Sequence, residues 1–542
     1  MRQIKRWVVI FVASIAGMNA WAQGGDASNL IINEIQVSNI DQYMDPSFNY
    51  GGWIELYNPT DEIIYLTGLY LSENENNLTQ FKLPNGMGTV PAKGFRTIWF
   101  DHNSSQGSYS ANAIRQVNFK LDCDGGTIYL SSKTGELITS VTYPEAVPRC
   151  SYARQTDGGD VWGTTATPTL EASNEGTIFT TQRLDAPQIS SEGKVLDAGE
   201  KVTFQVDIPQ GATLRYTVDG STPGKNNGYT SPSGRFTVSR TSIYRFILLQ
   251  DGYLPSPVVT RSFIYKNHDY YLPILSIATD PAHLFDNKIG VYVTGTNGKT
   301  GNGQNSRKNW NMDWERPVNV EYLVPMIDKG ERIYKTVLNQ ESDFEIAGGW
   351  SRAWGGGTVD GKTWEMKSSF RLKGDKRYEG QKYFNYPIFP HKPYNKYHCL
   401  QVRNGGNDCY ARTKDANIQV IALESGFYLD CQDWQPAHVF FNGDYLGMLN
   451  IRESNNKHFG YSNYGIDTDD MDQFDLSNAQ YNQKAGDAVA WQKLLSLASE
   501  VGRTRSPETY KKVCDMLDID EYINYMAFEC YIGCSDWITN TN

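Results

Sequence analysis

The residues whose types and spacing best fit chemistry stand near the end of the sequence, where Asp536 is followed four positions later by Asn540. Phosphoryl transfer uses such a pair: an aspartate orients or deprotonates the accepting hydroxyl, and an asparagine holds a metal ion. On spacing alone, an aspartate and an asparagine in a capped turn are the commoner case. The pair gains meaning from the elements that precede it.

A helix is predicted to deliver Asp536 onto a loop. Asp518 is placed to cap this helix, and Gly533 can adopt the left-handed conformation that ends it. The apolar residues between these caps recur at the spacing of one helical face. They predict a buried face formed by Ile519, Tyr522, Ile523, Met526, Ala527 and Cys530.

A glycine run followed by a strand that ends in lysine lies further upstream. Gly355, Gly356 and Gly357 would let backbone N–H groups approach phosphate oxygens, and Lys367 or Lys373 would add a positive charge. Kinases cover and then clamp the phosphates of ATP in this order. Three consecutive glycines are also common in mobile loops, so the residues alone leave both interpretations open.

A dense polar turn follows the lysine strand. Its sequence is RNGGND, and its polar side chains are Arg403, Asn404, Asn407 and Asp408. One interpretation is an Asx-type turn pinned by an internal Arg–Asp pair, and the other is a role in supporting a site.

A hairpin predicted around Asn442-Gly443 places Glu453 at the end of its second strand. There Glu453 would either orient a nucleotide-binding lysine, as the glutamate of kinases does, or close a surface ion pair that contributes little.

Four stretches resemble the CotH (spore coat protein H) kinase family, in the same order. They are KSSFRLK from Lys367, RNGGND from Arg403, the hairpin that ends at Glu453, and YIGCSDW from Tyr531. The resemblance implies an atypical protein-kinase-like fold that uses ATP and Mg²⁺, with Asp536 as catalytic base and Asn540 as metal ligand. It also implies a phosphate-binding lysine, for which Lys373 is preferred over Lys367.

The chain departs from that family at three places. Ser368 stands where the family has a second lysine, and Cys534 stands where it usually has asparagine. The family's metal-binding D-x-D motif, which follows the catalytic loop, has no counterpart before the sequence ends. We therefore expect a fragment of a longer chain, because a domain that ends directly after its catalytic loop would leave part of its core unburied.

Two β-rich domains are predicted ahead of this region. Residues 26–176 alternate in the manner of an antiparallel sandwich and resemble the immunoglobulin-like lamin-tail domain, with INEI from Ile32 and WIEL from Trp53. Residues 187–266 are similar to the chitobiase-type C-terminal domain, a fibronectin-like sandwich. Residues 272–542 form the α+β kinase-like domain, incomplete at its end. Glu34 and Glu55 are interpreted as edge or surface carboxylates without a site role.

The chain's first segment and its charge predict an exported protein. Residues 1–22 combine early basic residues, a short apolar run and an A-x-A site, which is typical of a secretory signal peptide. The apolar run is too short to span a membrane, and no other transmembrane segment is predicted. A net charge of −11 without a basic run excludes nucleic acid as the expected partner. The expected location is the periplasm, the cell surface or the medium.

The predicted function is ATP-dependent phosphorylation of a Ser, Thr or Tyr hydroxyl on an envelope or surface protein. The alternative is a non-catalytic surface protein, whose sandwiches bind a glycan or a protein and whose third domain is a kinase-like scaffold.

Overall fold

The computed structural model of the protein describes residues 24–100, 116–301, 306–352, 355–359, 362–408, 411–477 and 480–534. Within these ranges the chain forms two β-sandwiches followed by an α+β domain, which confirms the predicted fold class. The predicted signal peptide at 1–22 lies outside the described residues.

The first sandwich packs two sheets against one apolar core, and both are antiparallel except for the parallel pair β7–β8. The larger sheet has the strand order β12-β11-β1-β2-β7-β8 and the smaller one β10-β9-β4-β5. The strands are β1 Ile31–Gln36, β2 Gly52–Tyr57, β3 Ile64–Tyr65, β4 Tyr70–Ser72, β5 Phe81–Lys82, β6 Thr89–Val90, β7 Phe95–Phe100, β8 Gln116–Val117, β9 Gly126–Ser131, β10 Leu137–Tyr143, β11 Ser151–Arg154 and β12 Trp162–Thr165.

The interpretation of Glu34 and Glu55 as edge or surface carboxylates is wrong, because both side chains are fully buried. They lie directly opposite each other on β1 and β2, in the interior of the larger sheet. Glu34 accepts hydrogen bonds from the N–H and hydroxyl of Thr169 and from the hydroxyl of Ser151. A segment more than 130 residues away in sequence thus covers this face of the sheet, which strand alternation does not reveal.

Glu55→Gln is expected to flatten the pH dependence of stability. Burial, reinforced by Glu34, raises the pKa of Glu55 from 4.5 to about 9. Because the folded-state pKa lies above the unfolded one, the stabilisation by the protonated form is complete below pH 4.5 and is lost as the pH rises towards 9. Thermal unfolding across this range should show a smaller fall for the variant than for the wild type. The exposed Glu75→Gln control should follow the wild type, and an unchanged profile for Glu55→Gln would contradict the assignment.

The second sandwich is built around stacked aromatic rings. Phe204 stacks on Phe236 and Phe263, with ring centroids 5.3 and 5.1 Å away. Its five-stranded sheet has the order β13-β19-β18-β15-β16, and β14 pairs with β17. The strands are β13 Lys194–Leu196, β14 Val202–Gln205, β15 Thr213–Thr217, β16 Tyr229–Thr230, β17 Arg235–Val238, β18 Ser242–Leu249 and β19 Val259–Tyr265.

The third unit, the barrel domain, is a closed barrel with two helices between its strands and further helices after the last strand. The barrel order is β20-β21-β22-β25-β28-β30-β29, and its inward side chains form one apolar core. Its strands are β20 Ile274–Ala278, β21 Arg316–Asp328, β22 Glu331–Ile346, β25 Phe370–Lys373, β28 Cys399–Arg403, β29 Trp434–Phe441 and β30 Asp444–Glu453. Three hairpins accompany it: β23 Gly355–Val359 with β24 Lys362–Met366, β26 Phe384–Asn385 with β27 Lys396–Tyr397, and β31 Gln473–Ser477 with β32 Gln480–Ala485.

The helices of the barrel domain include the one predicted before Asp536. They are α1 Pro281–Phe285, α2 Lys414–Glu424, α3 Lys457–Tyr464, α4 Val489–Thr504, α5 Pro507–Cys514 and α6 Ile519–Ile532. In α6 the Asp518 side chain accepts from the Glu521 N–H and Gly533 adopts the left-handed conformation, as predicted. In the part of the chain that the structure describes, no helix is both long enough and apolar enough to cross a membrane.

The predicted buried face of α6 is wrong. Tyr522 and Ile523 are 48% and 57% exposed, whereas Phe528 is buried. Phe528 packs in a small cluster with Ala422 and Cys431, so α6 turns a different side towards the rest of the domain. Periodicity located the helix but not the neighbour against which it packs.

A buried ionic clamp, formed by Asp41, Arg149, Arg245 and Glu341, joins all three units. Arg149 of the first sandwich donates to Asp41 (Nε to Oδ1, 2.9 Å) and to Glu341 on β22 (Nη2 to Oε1, 3.0 Å). Arg245 of the second sandwich donates to the same Glu341 oxygen at 2.8 Å. The side chains of Arg245 and Glu341 are 3% and 9% exposed, so these charges depend on one another rather than on water.

Glu341→Gln should lower the free energy of unfolding by about 3–5 kcal/mol, because it leaves two buried arginines short of one carboxylate. Denaturant titration of the full chain measures this loss. The matched control is Glu379→Gln, which breaks an ion pair between the second sandwich's leading segment and the barrel domain at Arg183. Since those two side chains are 26% and 28% exposed, we expect a cost below about 1 kcal/mol. Equal losses for both variants would refute the role of the clamp.

Candidate functional site

Lys373, the lysine that the resemblance favours for phosphate, is held by two carboxylates. Its ammonium group donates to Glu315 at 2.9 Å and also contacts Glu345 on β22. Burial by itself would lower the pKa of Lys373, but the two carboxylates outweigh it and hold the pKa well above its usual range. In turn Lys373, Lys120 and Arg377 outweigh the burial of Glu315 and hold the pKa of that carboxyl below its usual range. The positive charge of Lys373 is therefore already neutralised by the protein.

The barrel register explains why Lys373 points at these acids. Phe370 and Leu372 face the barrel core, so Lys373, which alternates with them, faces outwards. It lies opposite Asp343 on β22 and opposite Cys399 on β28. The outward face of these strands is where the first sandwich approaches, since Lys120 of that sandwich forms an ion pair with Asp375 at 3.5 Å.

Glu453 pairs with a different lysine. Its Oε2 accepts from Lys392 Nζ at 3.2 Å and from the Asp433 N–H at 2.8 Å, and its Oε1 accepts from Asn463 and Tyr394. The Lys392 and Glu453 side chains are 10% and 4% exposed, so this ion pair is buried rather than superficial. It ties the end of β30 to helix α3 through Asn463.

Lys373 and Glu453 face opposite sides of the sheet. Glu453 is the cross-strand partner of Leu400, which faces the core, whereas Lys373 is the partner of Cys399, one residue earlier on the same strand. Adjacent residues of a strand point to opposite faces. The suggested orientation of Lys373 by Glu453 therefore has no support in this structure.

The polar turn after β28 is structured by its own side chains. The Asn404 Oδ1 accepts from the Gly406 N–H at 2.8 Å, which is the predicted Asx-type turn. Asp408 accepts from the N–H groups of Thr413 and Lys414, both at 2.7 Å, and so caps the start of α2. The predicted internal Arg–Asp pair is wrong.

Arg403 instead contacts Asp415 inside α2, at 3.9 Å, and Arg452 contacts the same carboxylate at 2.8 Å. Asn407 lies in a 3₁₀ turn over Gly406–Asp408. The turn thus links the end of β28 to the start of α2.

The glycine run and Lys367 meet this turn at one end of β25. Gly355, Gly356 and Gly357 form strand β23, paired with β24, and Lys367 directly follows that hairpin. Asn404 Nδ2 donates to the Lys367 carbonyl, and the Asn404 N–H donates to Ser369 Oγ at 3.0 Å. Lys373 lies at the other end of β25, about 10 Å along the strand. The structure thus joins Lys367, which directly follows the glycine hairpin, to the polar turn and places Lys373 at the other end of β25.

Asp536 and Asn540, the predicted base and metal ligand, lie outside the described residues. Within the described ranges, no group of three or more His, Cys, Asp or Glu side chains is arranged to hold a metal ion. Sequence reasoning missed Glu315, Glu345 and Lys392, the partners that decide the roles of Lys373 and Glu453. Glu315 and Lys373 are 58 residues apart, and no spacing motif connects them.

Comparison with protein families matches three stretches of the chain. Residues 23–145 match the Lamin Tail Domain model, and residues 191–260 match the chitobiase/beta-hexosaminidase C-terminal domain model. Residues 359–542 match the CotH kinase protein model. The last third of the chain is thus a CotH-type region. No curated protein matches the chain.

The CotH match begins inside the barrel domain. It includes Lys367, Lys373, the polar turn and Glu453, as well as Asp536 and Asn540 outside the described residues. The glycine run at 355–357 precedes it. The chain therefore combines a lamin-tail domain, a chitobiase-type C-terminal domain and a kinase-like domain, in the predicted order.

Lys373→Met should destabilise the protein in the absence of any nucleotide, by about 3 kcal/mol, because Glu315 and the buried Glu345 lose the cation that contacts them both, and among the described residues Glu345 keeps only a 3.8 Å contact with Arg371. Thermal and denaturant unfolding of the nucleotide-free protein measure this effect. The control is Lys376→Met, three residues later, whose ion pair with Asp124 is solvent-exposed and should cost less than about 1 kcal/mol. A nucleotide-free Lys373→Met protein as stable as the wild type would show that Lys373 is not a structural residue.

Proposed function

We propose that the protein is an exported, CotH-type kinase that transfers the γ-phosphate of ATP to a Ser, Thr or Tyr hydroxyl of an envelope or surface protein. The match of residues 359–542 to the CotH kinase protein model supports this proposal, because the match includes Asp536. In this proposal Asp536 orients or deprotonates the accepting hydroxyl, and Asn540 holds Mg²⁺. ATP and Mg²⁺ are implied by the family.

Lys367 is the better candidate for the phosphate-binding lysine. Two carboxylates already neutralise Lys373 on the outward face of the barrel, so it offers little net charge to a phosphate. Lys367 lies beside the glycine hairpin and the polar turn, where Asn404 binds its carbonyl. Together with the backbone N–H groups of the glycine hairpin, the Lys367 ammonium group would supply donors and positive charge to phosphate oxygens.

Export remains part of the proposal and is supported by the signal-type segment at 1–22. An exported kinase would find its phosphate acceptor among envelope, surface or secreted proteins. An N-terminal sequence of the exported protein that begins at Gln23 would support this step. Retention of residues 1–22 on a cytoplasmic protein would refute it.

Nucleotide binding and transfer give the decisive experiment. With Mg²⁺ present, ATP at about 100 times its Kd should stabilise the full chain by about 2.7 kcal/mol, which appears as a rise in melting temperature. Incubation with γ-labelled ATP and an envelope protein fraction should label protein, and Asp536→Ala should abolish labelling while keeping the melting shift. Lys367→Met should reduce the shift. Absence of both the shift and the labelling in the wild type would overturn the kinase proposal.

A second candidate function is a non-catalytic surface scaffold. The specific observation in its favour is that Lys373 and Glu453, two groups that the resemblance assigns to ATP, are both engaged by protein partners. In that case the sandwiches would bind a glycan or a protein, and the barrel domain would hold them in a fixed arrangement. Binding of a surface glycan or protein by the full chain, with no requirement for ATP, would favour the scaffold function.

A further inference from the structure

A loop of the first sandwich extends into the barrel domain. Residues 45–51, here called the docking loop, form the second part of the connection from β1 to β2 and present backbone oxygens to the start of β21. Trp314 Nε1 donates to the Ser47 carbonyl and Arg316 Nη1 donates to the Phe48 carbonyl, both at 2.8 Å. These bonds span more than 260 residues of sequence.

The loop also contributes side chains to the barrel domain. Phe48 packs against the barrel core, with its ring 5.5 Å from that of Trp314. The Tyr50 hydroxyl lies 2.9 Å from His283 Nε2 on α1, and both side chains are buried. The barrel core is therefore completed by an aromatic ring that belongs to another domain.

Arg316 depends directly on this loop. Its side chain is fully buried and donates to the carbonyl oxygens of Ile289, Glu315 and Phe48. Removing the docking loop would take away the Phe48 carbonyl as an acceptor and expose the Arg316 side chain to water. A buried cation that loses a hydrogen-bond acceptor is among the costlier defects in a protein interior.

The loop is held in its docking conformation by the first sandwich. Asp45 Oδ1 accepts from the N–H groups of Ser47 and Asn49, at 2.7 and 2.9 Å, and Gln116 donates to the other carboxylate oxygen at 2.6 Å. Phe48 adopts a left-handed conformation with φ of 68°, which is unfavourable for a residue with a side chain. Such a strained residue persists where its surroundings determine it, and here they include both domains.

We infer that the barrel domain requires the docking loop for its native structure. The first sandwich is therefore a domain that positions part of the barrel, and not a separable binding module. The loop reaches the ion-pair network of Lys373 through Glu315, since Asn49 Oδ1 accepts from the Glu315 N–H at 3.2 Å and the Glu315 carboxylate holds Lys373. A second connection is made by Arg377, which follows β25 and donates to the Tyr50 carbonyl at 2.8 Å. This inference holds whether or not the barrel domain transfers phosphate.

Hydrogen–deuterium exchange of the full chain tests the inference. Phe48→Ala should speed amide exchange in β21 near Arg316–Val320 and in α1 by about tenfold or more, because the barrel end loses a core side chain. The control is Phe81→Ala on β5. Phe81 is partly buried and packs against the first sandwich's own core. This variant should speed exchange within that sandwich and leave α1 at the wild-type rate. Wild-type exchange in β21 and α1 of Phe48→Ala would overturn the inference.

Two further measurements keep the test decisive if Phe48→Ala does not fold. Tyr50→Phe removes only the hydroxyl that contacts His283, and it should speed exchange in α1 by a few-fold. Calorimetry of the wild type should show the first sandwich and the barrel domain unfolding in one transition. Separate transitions for these two units, together with unchanged α1 exchange in Tyr50→Phe, would show that the loop is a passive contact.

Discussion

The arrangement of this protein depends on two arginines from different sandwiches that share one glutamate of the barrel. Placing charged groups out of water costs several kcal/mol each, and only close, well-oriented partners offset that cost. Arg149, Arg245 and Glu341 satisfy one another in a single geometry, with Asp41 completing the set. This geometry constrains the relative positions of the three units, because a shift of the second sandwich would take Arg245 from Glu341 and a shift of the first would take Arg149 from Glu341.

The outward face of the barrel, which the first sandwich contacts, determines the partners of Lys373. Outward-facing charges on β22 and β25 meet the first sandwich, and Lys373 is drawn into this network by Glu315 and Glu345. Glu453, on the other face of the sheet, is drawn to Lys392. Two residues that a kinase would pair thus have separate partners, which are Glu315 and Glu345 for Lys373 and Lys392 for Glu453.

The sandwiches are consequently more than spacers. The docking loop carries Phe48 into the barrel core, and the clamp fixes the second sandwich against β22. Both the kinase and the scaffold proposals rest on this framework, since each needs a barrel domain held in one arrangement. They differ in whether Asp536 acts on a substrate hydroxyl.

The sequence by itself determined the order of domains, the β-rich character of the first two domains and helix α6 with its caps. Turn residues, alternation and capping are local properties. Local motifs also identified the Asx turn at Asn404 and the residues of the candidate site. Only the tertiary structure decided the closed barrel, the burial of Glu34 and Glu55, the exposed side of α6 and the partners of Lys373 and Glu453. Each of these depends on groups tens to hundreds of residues away, and burial and charge pairing are set by what packs nearby in space.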